Sequence, residues 1–195
     1  MRADAATLRL AVFPRPTFLT DALLIVSGTA LVSICAQISV KLPFTPVPIT
    51  GQTFAVCLVG ASLGAARGAA SLALYFLIGV LGAPVYAHHD HGWDVITSAS
   101  GGYIVGFVAA AAVTGALAEH GWDRRFSSSV GAMLTGNVVI YLVGLPWLAV
   151  VLNTNLEQTL EDGLYPFVPG DLFKLYCAAA LLPAAWRGVK YLDSR

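Results

Sequence analysis

An acidic and a basic residue, Asp171 and Lys174, lie three positions apart at the start of the last apolar run of this 195-residue chain. Only twelve uncharged residues, Leu175 to Trp186, separate Lys174 from Arg187. Twelve helical residues rise roughly 18 Å, whereas the hydrocarbon core of a bilayer is about 30 Å thick. If this run crosses a membrane, both charged side chains lie within the bilayer or at its edge, where ionisable residues are costly and usually functional.

Helix stability accounts for one member of this pair better than for the other. Asp171 follows Pro169-Gly170 and is a good candidate for a helix N-cap. A lysine in the first helical turn, by contrast, opposes the helix macrodipole. A pair with Asp171, or a ligand that completes it, would account for Lys174, and we predict a ligand role for both residues.

The composition is that of a membrane protein. Hydrophobic residues make up 57% of the chain and charged residues 11%, against about 25% charged residues in a typical soluble domain. A formal net charge of zero, without blocks of like charge, argues against nucleic-acid binding. The three cysteines lie singly inside apolar runs, which favours buried packing over a redox or metal role.

The apolar runs predict an all-α membrane protein with one domain over residues 1–195 and six transmembrane helices. The spans cover about 22–40, 52–66, 68–83, 101–118, 129–152 and 171–189. The proline-rich segment 41–51 excludes a regular helix, and we predict a lid-like loop that folds back onto the helices. With six spans, nine of the eleven lysines and arginines fall on one side, which predicts that both termini are cytoplasmic. These nine residues are Arg2, Arg9, Arg15, Arg67, Arg124, Arg125, Arg187, Lys190 and Arg195.

Aromatic and polar side chains gather on the other side, together with Asp171 and Lys174. An apolar pocket with a few convergent polar groups is the usual form of a small-molecule site. The candidates for its lining are Phe44, Gln52, Tyr86, His88 and Tyr103. Asn137 and Tyr141 share one helical face, and Asn137 fits either this pocket or a helix–helix contact.

Small or short side chains recur at four-residue steps in the first span. Ala22, Val26 and Ala30 form one face, and Thr29 and Ser33 form the next. Such spacing lets another helix approach closely. Packing within the protein and docking of a separate partner both fit this pattern.

Enzymatic and metal-binding alternatives have weaker support. His88, His89, His91 and Asp94 lack a spaced partner for a metal site. Ser98-Ala-Ser100 lacks the frame of a serine hydrolase, and there is no phosphate-binding loop. We expect no enzyme activity, no metal and no cofactor, so energy for any transport would come from other subunits.

Several motifs, in order along the chain and spread over different spans, closely resemble the BioY family. BioY proteins are the biotin-specific substrate-binding S components of energy-coupling factor (ECF) transporters. The resemblance covers about residues 20 to 190. Its motifs are Thr45-Pro-Val-Pro-Ile-Thr-Gly-Gln52, Gly79-Val-Leu-Gly82-Ala-Pro84-Val-Tyr86-Ala87, Gly101-Gly102-Tyr103, Gly136-Asn137, Gly144-Leu-Pro146-Trp147 and Pro169-Gly170-Asp171 followed by Lys174.

The resemblance implies an ECF S-component fold in the cytoplasmic (inner) membrane and high-affinity biotin binding for uptake. It implies that Asp171 and Lys174 contact biotin, and that Ala22, Val26 and Ala30 dock a transmembrane coupling subunit that works with two ATP-binding subunits. This chain departs from the family in His88-His-Asp-His-Gly-Trp-Asp94, where a small, glycine-rich segment with an amide residue is usual. It departs again at Ser98-Ala-Ser100, where Gly-Pro-Thr is common. We predict that His88 and Tyr103 meet the biotin carboxylate. The alternatives are an S component for another vitamin or a metal ion, and a membrane assembly protein that binds no ligand.

Overall fold

The structure is a computed structural model that describes residues 6–15 and 17–193. Within these ranges the chain is mainly helical. Its helices are α1 (Leu8–Val12), α2 (Phe18–Gln37), α3 (Gln52–Leu63), α4 (Ala65–Val80), α5 (Trp93–Thr97), α6 (Gly101–Glu119), α7 (Phe126–Leu152), α8 (Leu156–Gly163) and α9 (Val168–Asp193). A 3₁₀ turn covers Ala87–His89, and two short strands, β1 (Ser39–Val40) and β2 (Ile49–Thr50), lie between α2 and α3.

Three of the described helices, α2, α6 and α7, are long and apolar enough to cross a membrane. The bent pair α8 and α9, with an angle of 51° at its break, makes a fourth if it is one span. Helices α3 and α4 are apolar but have only 12 and 16 residues. The helical membrane class is therefore supported, and the count of six spans stays a prediction.

Helix α6 is the central element of the bundle. In its most apolar stretch 61% of the residues are buried inside the protein, against 22% in α2 and 28% in α7. Glycines allow its neighbours to come close: a Cβ added to Gly60 of α3 would lie 2.5 Å from the Ala111 carbonyl oxygen of α6. A Cβ on Gly68 of α4 would in turn lie 2.8 Å from the Gly60 Cα. Helices α3, α4 and α6 thus meet backbone to backbone.

The two faces of α2 have different surroundings. Thr29 is buried and its hydroxyl donates to the Ser71 carbonyl of α4, 2.8 Å away. Val26 and Ala30 are exposed and Ala22 is half-buried. The Thr29 face therefore packs within the protein, whereas the face with Ala22, Val26 and Ala30 remains open to a lipid or protein neighbour.

A short β-hairpin, which the all-α prediction did not include, begins at Ser39 and contains most of segment 41–51. Strands β1 and β2 pair antiparallel, with Ser39 opposite Thr50 and Val40 opposite Ile49. The prolines exclude a helix, and strand pairing gives the backbone its hydrogen bonds instead. At the loop's tip the Thr45 hydroxyl donates to the Asp162 carbonyl of α8, 2.6 Å away.

Charged side chains tie the helices together at the end of the bundle that is remote from this hairpin. Arg9 of α1 and Arg67 of α4 both form ion pairs with Asp21 of α2. Nearby, the Trp186 indole N–H of α9 donates to Asp123, 2.6 Å away, in the link between α6 and α7. The last bond anchors one end of α9, whose other end carries Asp171 and Lys174.

Candidate ligand-binding site

A cavity of about 400 Å³ lies at the hairpin end of the bundle. This volume is in the usual range for small-molecule sites. Its wall combines the hairpin, the first turn of α3, the segment from Tyr86 to Ser98, the adjoining turns of α6 and α7, and the first turns of α9. Apolar wall residues include Val47, Tyr86, Ile104, Phe107, Ile140 and Phe167.

Asp171 and Lys174 form an ion pair in the wall of this cavity. Lys174 Nζ lies 2.6 Å from Asp171 Oδ1 and donates to the Thr50 carbonyl, 2.8 Å away. Helix α9 begins at Val168, so Asp171 sits inside the first turn, and its own N–H donates to the Phe167 carbonyl. N-capping therefore does not explain Asp171, which is buried with its carboxylate turned to side-chain donors.

Two further side chains converge on the Asp171 carboxylate. The Thr53 hydroxyl of α3 donates to Oδ1 at 3.0 Å, and the Tyr141 hydroxyl of α7 donates to Oδ2. Neither residue was a predicted contact. Their sequence signals are modest: Thr53 follows Gln52, and Tyr141 is one helical turn beyond Asn137.

The hydrogen-bond capacity that remains in this cluster defines what it can bind. A carboxylate offers about four lone-pair sites, of which Lys174, Thr53 and Tyr141 take three. An ammonium has three N–H donors, and Lys174 uses two of them, on Asp171 and Thr50. One acceptor site on the carboxylate and one donor on the ammonium are left, and these two groups are 2.6 Å apart. A ligand with an N–H next to a carbonyl matches them.

Gln52 lines the cavity but acts mainly as a brace. Its Nε2 donates to the Tyr75 hydroxyl at 2.7 Å, and its Oε1 accepts from the Thr50 hydroxyl at 2.9 Å. Tyr75 in turn donates to the Val85 carbonyl, 3.2 Å away. Gln52 thus connects the hairpin to α4 and to the segment that begins near Tyr86.

Tyr86 supplies an apolar wall. It is 1% exposed, and its hydroxyl donates to the Phe76 carbonyl at 2.7 Å. Its ring packs edge-on against Tyr75, with 5.4 Å between centroids. Burial raises the pKa of Tyr86 to about 12, so the hydroxyl keeps its proton at physiological pH.

Tyr103 also lines the cavity with its hydroxyl already engaged. The hydroxyl donates to the Gly163 carbonyl at the end of α8, 3.0 Å away. Its ring lies edge-on to Tyr141, with 6.2 Å between centroids. Tyr103 therefore holds α8 in place and supports the side chain that donates to Asp171.

His88 lies in the cavity wall on a turn of unusual backbone geometry. His88 and His89 have φ of 61° and 62°, in the left-handed region. Gln37 of α2 stabilises this turn, because its Oε1 accepts from the His89 N–H at 3.1 Å and its Nε2 donates to the Tyr86 carbonyl at 3.0 Å. His91 lies in the wall as well, whereas His89 is exposed and lies outside it.

Two predicted site residues lie away from the cavity wall that the described residues form. Asn137 is buried one turn from Tyr141, and its Oδ1 has no hydrogen-bond partner among the described residues. Phe44 is 63% exposed near the tip of the hairpin loop. A ligand role for either stays a prediction. In residues 6–15 and 17–193, no three His, Cys, Asp or Glu side chains are grouped so as to hold a metal ion.

Comparisons with known proteins agree on one family. The model of the BioY family matches residues 5–191 of the chain. A biotin transporter BioY from Rhizobium etli is 35% identical over 163 residues, which cover 80% of this chain and 87% of the relative. Another, from Thermotoga maritima, is 36% identical over 153 residues, covering 78% and 88%.

A solved structure has the same fold. It is the crystal structure of the S component for biotin from an ECF-type ABC transporter, with a TM-score of 0.76. The match covers 87% of this chain and 94% of that chain, at 23% sequence identity.

Proposed function

Since the chain belongs to the BioY family, we propose that it binds biotin in the cavity beside the hairpin and acts as the S component of an ECF transporter. It is a multi-pass membrane protein of a transporter family and not an enzyme. The observation that carries the ligand assignment is the Asp171–Lys174 pair, which keeps one acceptor site and one donor for a ligand.

Biotin's chemistry suits this cluster and the rest of the wall. The ureido ring has an N–H beside a carbonyl, which would donate to Asp171 and accept from Lys174. Hydrogen bonds to charged groups are stronger than those between neutral groups. The fused rings would pack on apolar side chains such as Tyr86 and Phe107, which line the same cavity. The valerate carboxylate would lie toward the segment that carries His88.

We place the protein in the cytoplasmic membrane with six spans, both termini inside and the cavity facing outward. Helices α3 and α4 would be the two short spans. The support is charge asymmetry: the ends of the helices remote from the cavity carry Arg9, Arg15, Arg67, Arg124, Arg125, Arg187 and Lys190. Arg2 and Arg195, which contributed to the predicted asymmetry, lie outside the described residues.

The open face of α2 is the proposed contact for a transmembrane coupling subunit, which would link this chain to two ATP-binding subunits. Ala22, Val26 and Ala30 are small or short side chains that are not enclosed by the protein's own helices. Close approach of a partner helix needs such a surface.

A bulky residue on this face should separate transport from binding. We expect Ala30→Trp to lower biotin uptake in cells that contain the coupling subunits by about tenfold or more, because overpacking disrupts a close helix contact. Biotin affinity of the purified protein should stay unchanged, since Ala30 is remote from the cavity wall. Leu142→Trp, on an exposed position of α7, is the matched control and should transport normally. Normal uptake by Ala30→Trp would contradict docking at this face.

Thermal stability in the presence of candidate ligands tests the proposed function. A ligand that binds the native state raises its stability by mass action, by about 2.7 kcal/mol at a hundred times Kd. Biotin should raise the melting temperature, whereas thiamine, riboflavin, Ni²⁺ and Co²⁺ should not. Stabilisation by one of those ligands alone would identify a different S component. Stabilisation by none would favour an assembly protein.

A further inference from the structure

The part of the cavity wall near the hairpin and the His88 turn contains side chains whose net charge depends on pH. Lys41 comes from the hairpin loop, and His88, Asp90, His91 and Asp94 come from the segment that follows α4. We call these five residues the loop wall. With neutral imidazoles, one lysine against two aspartates gives a net charge of −1. With both histidines protonated the net charge becomes +1.

We propose that the loop wall binds the ligand's carboxylate through protonated His88 and His91, so that biotin is captured more tightly as the outer pH falls. This inference rests on the proposed function, because it needs an anionic ligand in this cavity. With neutral imidazoles the loop wall opposes an anion, and with protonated imidazoles it attracts one. Like and opposite charges also change the rate at which a charged ligand enters a cleft.

The surroundings of His88 couple protonation of its ring to the binding of an anionic ligand. Its Nε2 lies 3.3 Å from the Ser39 hydroxyl, and its Nδ1 has no hydrogen-bond partner among the described residues. A protonated imidazole donates from both nitrogens. In the free protein the buried second N–H would therefore lack an acceptor, and a ligand carboxylate in the cavity would offset the charge on the ring. Proton binding and ligand binding then favour each other reciprocally.

Other titratable and charged groups on the cavity wall come from every element around it. Besides the loop wall they are Tyr86, Tyr103 of α6, Tyr141 of α7, and Asp171 and Lys174 of α9. The last two offset each other as an ion pair. Among these side-chain types, histidine is the one whose charge ordinarily changes between pH 5 and 8. The pH response therefore points to the two histidines of the wall.

Calorimetric titrations at pH 7.5 and 5.5 with two ligands test this without any substitution. Biotin should bind about tenfold more tightly at pH 5.5, the effect of roughly one favourable charge contact in a partly hydrated site. Biotinamide has the same rings but no ionised carboxylate, and its Kd should stay constant. An unchanged Kd for biotin, or the same pH response for biotinamide, would overturn the proposal.

Substitutions assign the effect to particular side chains. His88→Asn/His91→Asn should bind biotin with the same Kd at pH 7.5 and at pH 5.5, and asparagine tolerates the left-handed backbone at residue 88. His89→Asn is the matched control: His89 has the same backbone geometry but is exposed and lies outside the wall, so this variant should respond as the wild type does. Loss of the response in His89→Asn, or its retention in the double variant, contradicts the proposal.

The titrations distinguish an error in the proposed function from an error in the role of the loop wall. If biotin does not bind at either pH, the proposed function is wrong. If biotin binds equally well at both pH values, the proposed function stands and the role of the loop wall is wrong.

Discussion

Asp171→Asn is expected to weaken biotin binding by about a hundredfold or more. The substitution removes the negative charge to which Lys174, Thr53 and Tyr141 all donate hydrogen bonds. It also leaves the largely buried Lys174 ammonium without its counter-ion. A hydrogen bond to a charged group contributes about 1.5–3 kcal/mol, a ligand N–H left without its acceptor adds to the loss, and about 2.7 kcal/mol corresponds to a hundredfold change in Kd. Calorimetric titration with biotin measures the effect.

Asp162→Asn is the control for this variant. Asp162 carries the same functional group on α8 outside the cavity wall, and its contact with the hairpin uses its backbone carbonyl, which the substitution keeps. Its affinity should match that of the wild type. Undiminished affinity in Asp171→Asn, with the unliganded protein still folded by thermal unfolding, would refute the site assignment.

Gly60→Ala is expected to destabilise the fold. The added Cβ would lie 2.5 Å from the Ala111 carbonyl oxygen and 2.9 Å from the Ala111 Cα, so two backbones would have to separate. Overpacking a tight contact costs typically 1–3 kcal/mol and occasionally more. We expect a fall in melting temperature of about 10 °C, on the scale measured for proteins of this size, with a lower yield of folded protein.

Gly188→Ala is the matched control for that prediction. Gly188 lies in α9, and a Cβ added there would meet no atom within 4 Å. This variant should melt at or slightly above the wild-type temperature, because alanine favours a helix more than glycine does. Equal melting temperatures for the two variants would contradict the close packing of α3 against α6.

The sequence predicts the key ion pair because its energetics are local. A charged pair at the mouth of a short apolar run is costly in a membrane, whatever surrounds it. The hydrogen-bond partners of that pair, by contrast, do not follow from the local sequence. Thr53, Tyr141 and the Thr50 carbonyl come from other elements, and only the packing of α3 and α7 against α9 brings them to Asp171 and Lys174.

The start of α2 likewise depends on contacts with other elements of the fold. The first span was predicted to begin after Asp21, because a charge usually ends an apolar run. Helix α2 begins at Phe18 and includes Asp21, since Arg9 and Arg67 neutralise the carboxylate from other elements. Thr17, whose side chain accepts from the Thr20 N–H, caps this helix and is the local signal of its start.

The sequence predicts aromatic side chains at the cavity, and the contact of Tyr103 with the biotin carboxylate stays a prediction. The predicted topology puts Tyr86 and Tyr103 on the same side of the membrane as Asp171 and Lys174. In the structure their hydroxyls donate hydrogen bonds to the carbonyls of Phe76 and Gly163. Those partners depend on the turn after α4 and on the break between α8 and α9. Sequence periodicity specifies neither, so it could not separate a wall residue from a ligand donor.

The decisive experiment is a structure of the purified protein with biotin bound. We expect biotin in the cavity beside the hairpin, with a ureido N–H on Asp171, the ureido oxygen on Lys174 Nζ and the rings against Tyr86 and Phe107. Biotin bound elsewhere, or bound in this cavity with its ureido ring away from Asp171 and Lys174, would contradict it.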